Sequence, residues 1–278
     1  MTMKGRRSRK VLGAALTTAL VAGAVGVSAS GSAAGATANP GLMTPGTLVV
    51  GMSLQFKPEM YLKGSTPAGY DVDLLHKLAA AMGVKLKIVN LSFPGLIPGL
   101  QTKKFDMVSV GLSNTPARAK VVSFTQAYVP YAQVLAVPAK DAASITSTAD
   151  LNKPGKVISA LLGSTAQAEA KAVFPKATVT ALADQNSDFA LVATGRANGI
   201  VVEDYLLAQF QAANPGKIAK AAIKPLDVQY GSYAVQHANT KLVTYLNKFL
   251  CTSQKNGTLA SLYKKDFAVP SFPGLPSC

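Results

Sequence analysis

The chain has no tryptophan, only two cysteines and two histidines, and 13 acidic residues against 28 basic ones. With so few histidines and cysteines, and no acids grouped at ligand spacing, no metal site or other cofactor site can be assembled from the sequence. No serine or cysteine stands in a nucleophile–base arrangement either. Charged residues are also scarce, at 15%, while 49% are hydrophobic, which excludes a disordered chain. The excess of positive charge does not imply nucleic acid as a partner, because the lysines are spread along the chain instead of forming basic blocks with interleaved aromatics.

Part of that excess sits in one place. Lys4, Arg6, Arg7, Arg9 and Lys10 precede an uncharged run of small and apolar residues from Val11 to Val27, and a small, polar stretch follows to Ala38. This order is that of a secretory signal peptide, with Ala36-Thr37-Ala38 offering small residues at the cleavage positions. Residues 1–38 are therefore expected to be removed, leaving about 240 residues and a net charge of +10. No cysteine follows the apolar run, so lipid anchoring at the cleavage point is excluded and a free periplasmic protein is expected. In that oxidising compartment the even pair Cys251 and Cys278 favours a disulfide over two free thiols.

Behind the leader, short β-branched runs alternate with helical patterns. Strands are predicted at Thr47–Gly51, Lys85–Asn90, Asp106–Gly111, Gln133–Val137, Val157–Leu162, Thr178–Leu182, Gly199–Val202 and Ser232–Gln236. Between the first two, Val72, Leu75, Ala79 and Met82 form an apolar helical stripe that leaves His76 on the solvent side, with Gly83 as the stop. Further helices are predicted at Pro94–Gln101, Pro116–Val122, Ala166–Phe174, Ser187–Thr194, Asp204–Ala213, Lys241–Ser253 and Leu259–Lys265. The alternation implies an α/β fold with parallel strands, and the polar stretch 139–154 reads as a boundary.

Three places carry chemistry. After the third strand, Ser113 precedes Thr115-Pro116, an N-cap followed by proline at the first helical position, and Arg118 falls in the first turn. A guanidinium beside free N–H groups suits a carboxylate, although spacing alone equally allows a surface arginine after a capped turn. Gly163-Ser164-Thr165 after the fifth strand offers a second helix start. Glu203-Asp204 directly follows the seventh strand and places a carboxylate at the edge where α/β sheets bind ligands, unless Asp204 merely caps the next helix. Together they provide a cation and an anion, as a zwitterionic amino acid requires.

The segments Gly69-Tyr-Asp-Val-Asp-Leu-Leu75, Thr115-Pro-Ala-Arg-Ala-Lys-Val-Val-Ser-Phe124, Gly195-Arg-Ala-Asn-Gly-Ile-Val-Val-Glu-Asp204 and Tyr230-Gly-Ser-Tyr-Ala-Val-Gln236 resemble, in order, the landmarks of bacterial extracellular solute-binding proteins of family 3. That family comprises the polar amino-acid-binding components of ABC importers. The resemblance implies a two-lobed periplasmic-binding-protein type II fold, each lobe a sheet flanked by helices, joined by two crossover strands near Gln133–Pro138 and Gly231–Gln236. Lobe 1 would comprise 39–135 and 234–278, and lobe 2 would comprise 136–233. It implies a monomer that captures an amino acid and delivers it to a membrane permease, with no enzymatic activity.

On matching positions, Arg118 would pair with the ligand carboxylate, helped by Ser113 and Thr165. Asp204 and the Gly111 carbonyl would hold the ammonium, and Phe56 and Phe93 would pack on the side chain. Ser53 stands where binders of cationic ligands often carry an acid, and Glu59 where an aromatic is usual. Ala117 replaces a usual Glu and Asn198 a usual Asp. These departures leave the ligand side chain open among basic, polar neutral and acidic. The alternative is a dehydratase of the cyclohexadienyl or arogenate type on the same scaffold, with Glu203 or Glu59 as the acid.

Overall fold

The structure, a computed structural model, describes residues 40–278. The leader and its cleavage point lie outside these residues. The first strand, β1 (Thr47–Met52), is buried along almost its whole length, and a hairpin pair too short to be read from the sequence follows it: β2 (Gln55–Phe56), β3 (Met60–Lys63) and β4 (Thr66–Ala68). Helix α1 (Tyr70–Met82) presses Val72, Leu74, Leu75, Leu78 and Met82 into the core and leaves His76 exposed. Burying each such aliphatic chain contributes about 1.5–3 kcal/mol. Gly83 ends the helix in the left-handed region at φ 66°, where it closes the last carbonyls at no Cβ cost.

The chain continues through β5 (Lys85–Asn90), α2 (Leu96–Gln101), β6 (Met107–Ser113) and the single turn α3 (Pro116–Ala119) into β7 (Ser123–Pro138). The other half contains β8 (Val157–Leu161), α4 (Thr165–Val173), β9 (Thr178–Leu182), α5 (Gln185–Ala193), β10 (Gly199–Glu203), α6 (Asp204–Ala213) and β11 (Ile218–Lys220). Strand β12 (Asp227–Val235) then returns, and α7 (Thr240–Lys255) and α8 (Thr258–Asp266) close the fold.

The main sheet runs in the order β5-β1-β6-β12-β7-β10-β8-β9, with β11 beside β7. Within each lobe the strands linked by helices pair in parallel, β5 with β1 and β1 with β6, then β10 with β8 and β8 with β9. The strands that cross between lobes pair antiparallel. Strand β7 pairs with β12 from Ser123 to Gln133, then exchanges it for β10 and β11 from Gln133 to Pro138. Two of these strands begin earlier than the sequence patterning suggested. Strand β7 starts at Ser123 instead of Gln133, and β12 starts at Asp227 instead of Ser232; in β12 the added residues Val228 and Tyr230 point outward and carry no buried pattern.

One apolar core joins α1, α7 and α8 to β1, β6, β7 and β12 and extends to Phe189 and Leu206. A second, formed by Leu135, Ile158, Phe174 and Val201, lies on the far face of the second lobe's strands. Asp106 is buried for a structural reason: its carboxylate accepts the N–H groups of Met43 (2.7 Å) and Val49 (2.8 Å), fixing the start of β1. At the other end, Cys251 and Cys278 form a disulfide with their Cα atoms 5.5 Å apart, and Phe272 and Leu275 of the tail pack on the core.

Candidate functional site

Strand β6 is buried from Met107 to Ser113, and it delivers Gly111 and Ser113 to a narrow cleft between the lobes. Gly111 adopts φ 56°, and a Cβ there would lie 2.6 Å from a carboxylate oxygen of Glu59, so only glycine fits. Two tyrosines of β7 hold this residue: Tyr128 accepts the Gly111 N–H (2.8 Å) and Tyr131 donates to its carbonyl (2.9 Å). That carbonyl, expected to receive a ligand ammonium, therefore already has a donor.

The Thr115 hydroxyl accepts the N–H of Arg118 (3.3 Å), as the capping pattern predicts. The following helix is one turn, not the seven residues expected, so no longer helix terminus stands beside the guanidinium. Arg118 donates to the carbonyl of Ser113 (3.0 Å) and, across the lobes, to that of Gly163 (3.1 Å), while its guanidinium lies 5.8 Å from the Phe93 ring centre. Burial draws its pKa down from the usual arginine value, and the neighbouring Tyr131 and Glu203 oppose that shift. Among the described residues the ion pairs involve only Lys265, so Arg118 has no carboxylate partner.

Opposite stand Ser164 and Thr165, because Ser164 caps α4 by accepting the N–H of Gln167 (3.1 Å). The Thr165 hydroxyl accepts from Gln133 (2.8 Å) on the crossover strand. At the end of β10 it is Glu203 that lines the cleft. Burial, and then the adjacent Asp204, push its pKa up to about 7, against the pull of its own backbone N–H and of Arg118.

Phe56, Glu59, Phe93, Gly111, Ser113, Arg118 and Thr165 are thus brought together as expected from the sequence, and two residues are not. Ser53 is buried away from the cleft, its hydroxyl accepting from Gln55 (2.9 Å). Asp204 is exposed, and its carboxylate accepts the N–H groups of Tyr205 (2.9 Å) and Ala132 (3.4 Å). The strand runs one residue further than patterned, through Glu203, which puts that residue and not Asp204 at the cleft. Tyr131 and Tyr205 also line the site and were not anticipated, since an isolated tyrosine in an apolar run carries no pattern that separates a site from a core.

Glu59 is 1% exposed. Its Oε2 accepts the Tyr205 hydroxyl from the opposite lobe (2.5 Å), and its pKa is raised well above the usual range, first by burial and then by Asp71. Asp71 in turn accepts from Ser109 (2.5 Å) and Tyr128 (2.6 Å). The lobes meet again where the Gln185 N–H donates to Gln55 (2.8 Å) and where Tyr205 stands edge-on to Phe267, with ring centres 5.3 Å apart. Among the described residues no cluster of potential metal ligands occurs, and no helix is long and apolar enough to cross a membrane.

Two lobes exchanging a pair of strands, with a cation and an anion facing each other in the cleft between them, define the class of type II periplasmic binding proteins. The profile of the bacterial extracellular solute-binding proteins, family 3, matches residues 48–269, and the chain belongs to that family. It is 29% identical to the arginine-binding extracellular protein ArtP of Bacillus subtilis, over 79% of this chain and 86% of that one. The crystal structure of the ancestral amino acid-binding protein AncCDT-1, a precursor of cyclohexadienyl dehydratase, is 33% identical, with a TM-score of 0.72 over 80% of this chain and 95% of that one. A cyclohexadienyl dehydratase of Pseudomonas aeruginosa is more distant, at 24% identity over 78% of this chain and 81% of that one.

Proposed function

We propose that the protein is the free, extracytoplasmic binding component of an ABC importer and takes up an amino acid between its lobes, without transforming it. The observation that carries this reading is the half-buried Arg118, which has no carboxylate partner among the described residues and lines the same cleft as Glu203. Burying a charge without a partner is costly, and a zwitterion compensates both residues at once. In this reading Arg118, with Ser164 and Thr165 of the other lobe, binds the carboxylate, and Glu203 takes the ammonium in place of Asp204. Phe56 and Phe93, edge to face with ring centres 6.1 Å apart, wall the ligand side chain. The lobe divisions near residues 135 and 233 belong to the same reading, as does a monomer that meets a permease.

Because the ligand touches both lobes, it favours the closed arrangement by its differential affinity. Calorimetric titration of ligand-stripped protein with the common amino acids tests the assignment. One ligand bound at micromolar affinity or better is expected. A second reading has one observation in its favour: Glu203 and Glu59 both hold protons to higher pH than ordinary carboxyls, as a general acid must. Release of phenylpyruvate or phenylalanine from prephenate or arogenate would establish that reading and displace the first.

A further inference from the structure

We infer that the ligand is a basic amino acid whose side-chain cation is seated against Glu59, an inference that rests on the reading above. The charged residues lining the cleft are Glu59, Arg118 and Glu203. An amino acid's carboxylate and ammonium balance Arg118 and Glu203, and Glu59 is left over. It has no cation of its own: the titratable groups bearing on it are the carboxyls of Asp71 on α1 and Glu203 on β10 and six tyrosine phenols, Tyr131 and Tyr205 among them.

The geometry repeats this imbalance. One Glu59 oxygen accepts from Tyr205, while Oε1 is buried with no donor, as is Oδ1 of the neighbouring Asp71. Two carboxyl groups meet there, and burial together with the Asp71 carboxylate holds the pKa of Glu59 well above the usual range. A ligand ammonium or guanidinium supplies positive charge and donors at the same place, whereas a neutral side chain supplies no charge.

An acidic side chain would add a further carboxylate to a cleft whose sole lining cation is already engaged. Ser53, whose lack of charge would speak against a cationic ligand, lies off the cleft and has no bearing on the choice. The rings of Phe56 and Phe93 suit the long alkyl stem that carries such a cation.

The test compares isosteres on ligand-stripped wild-type protein, which avoids dependence on any variant: arginine against citrulline, lysine against norleucine, with ornithine, glutamine and glutamate alongside. Arginine, lysine or ornithine is expected to bind at least about 30-fold more tightly than the neutral partner, as a buried charge-assisted contact provides. In Glu59→Gln, which retains an acceptor for Tyr205, that preference should collapse to roughly 3-fold or less. Citrulline, glutamine or norleucine binding as tightly as the cations would overturn the inference and leave the amino-acid reading standing. An undiminished preference in folded Glu59→Gln would remove Glu59 as its source, and silence with every amino acid would bring down both.

Discussion

Each lobe buries one aspartate on a helix beneath its sheet and ties it to a strand serine. In the first lobe Asp71 of α1 accepts from Ser109 of β6 at 2.5 Å, and in the second Asp188 of α5 accepts from Ser159 of β8 at 2.6 Å. Each leaves its other oxygen without a hydrogen-bond donor, and burial raises both pKa values to about 7. The difference is what lies beyond. Asp188 has the Leu182 N–H as a further donor and only the distant influence of Asp184, while Asp71 has Glu59, which reaches the cleft. The same internal support is structural in one lobe and borders the ligand in the other.

Breaking the cleft itself should have the largest effect. Arg118→Ala should weaken amino-acid binding by about 3–5 kcal/mol, because the carboxylate would be buried unpaired, while circular dichroism shows the fold intact. A loss below about 1 kcal/mol would take Arg118 out of the site. The second contrast is that the described disulfide staples the first lobe only. Replacing both cysteines by serine should cost about 3 kcal/mol in denaturant unfolding, and the loss should be concentrated in α7 and α8 by hydrogen exchange.

The neighbouring acids of the second lobe differ more finely. Glu203→Gln should weaken binding by about 2 kcal/mol, whereas Asp204→Asn should change it by less than about 0.5. Equal losses in titration would contradict the assignment of the ammonium to Glu203. Finally, buried acids whose folded pKa values lie above their unfolded ones hold extra protons in the native state. The stability they contribute should therefore be fully present below about pH 4, be lost as the pH rises to about 7 and level off above it, the window set by Asp71, Asp188 and Glu203. Thermal melts of Asp188→Asn should show a shallower fall than wild type, and an identical slope would show that Asp188 contributes nothing to it.

Strands such as Lys85–Asn90 and Thr178–Leu182 were legible to the residue, because their β-branched runs are bounded by breakers. The Thr115 cap and Arg118 were legible because capping is local chemistry. The small sheet of β2, β3 and β4 was not, since strands of two to four residues are too short to show a period. Glu203 and Asp204 could not be told apart, because which of two adjacent acids faces the cleft depends on the last residue of a strand, the least certain part of any pattern. Tyr131 and Tyr205 gain their roles only through contacts 20 and 146 residues away, with Gly111 and Glu59.

The long strand β7 has one more consequence. Between the lobes it stays paired with β12, through Tyr131 with Gln229 and Gln133 with Asp227, so the hinge is a two-stranded ribbon and not a pair of loose linkers. Such a ribbon can change its twist without giving up its backbone hydrogen bonds, and opening would then cost the polar contacts across the cleft and the apolar ones at Tyr205, Leu206 and Phe189. Tyr128 and Tyr131 stand on that same ribbon while holding Gly111. A torsion of this ribbon would therefore be passed to the floor of the cleft through these two hydroxyls.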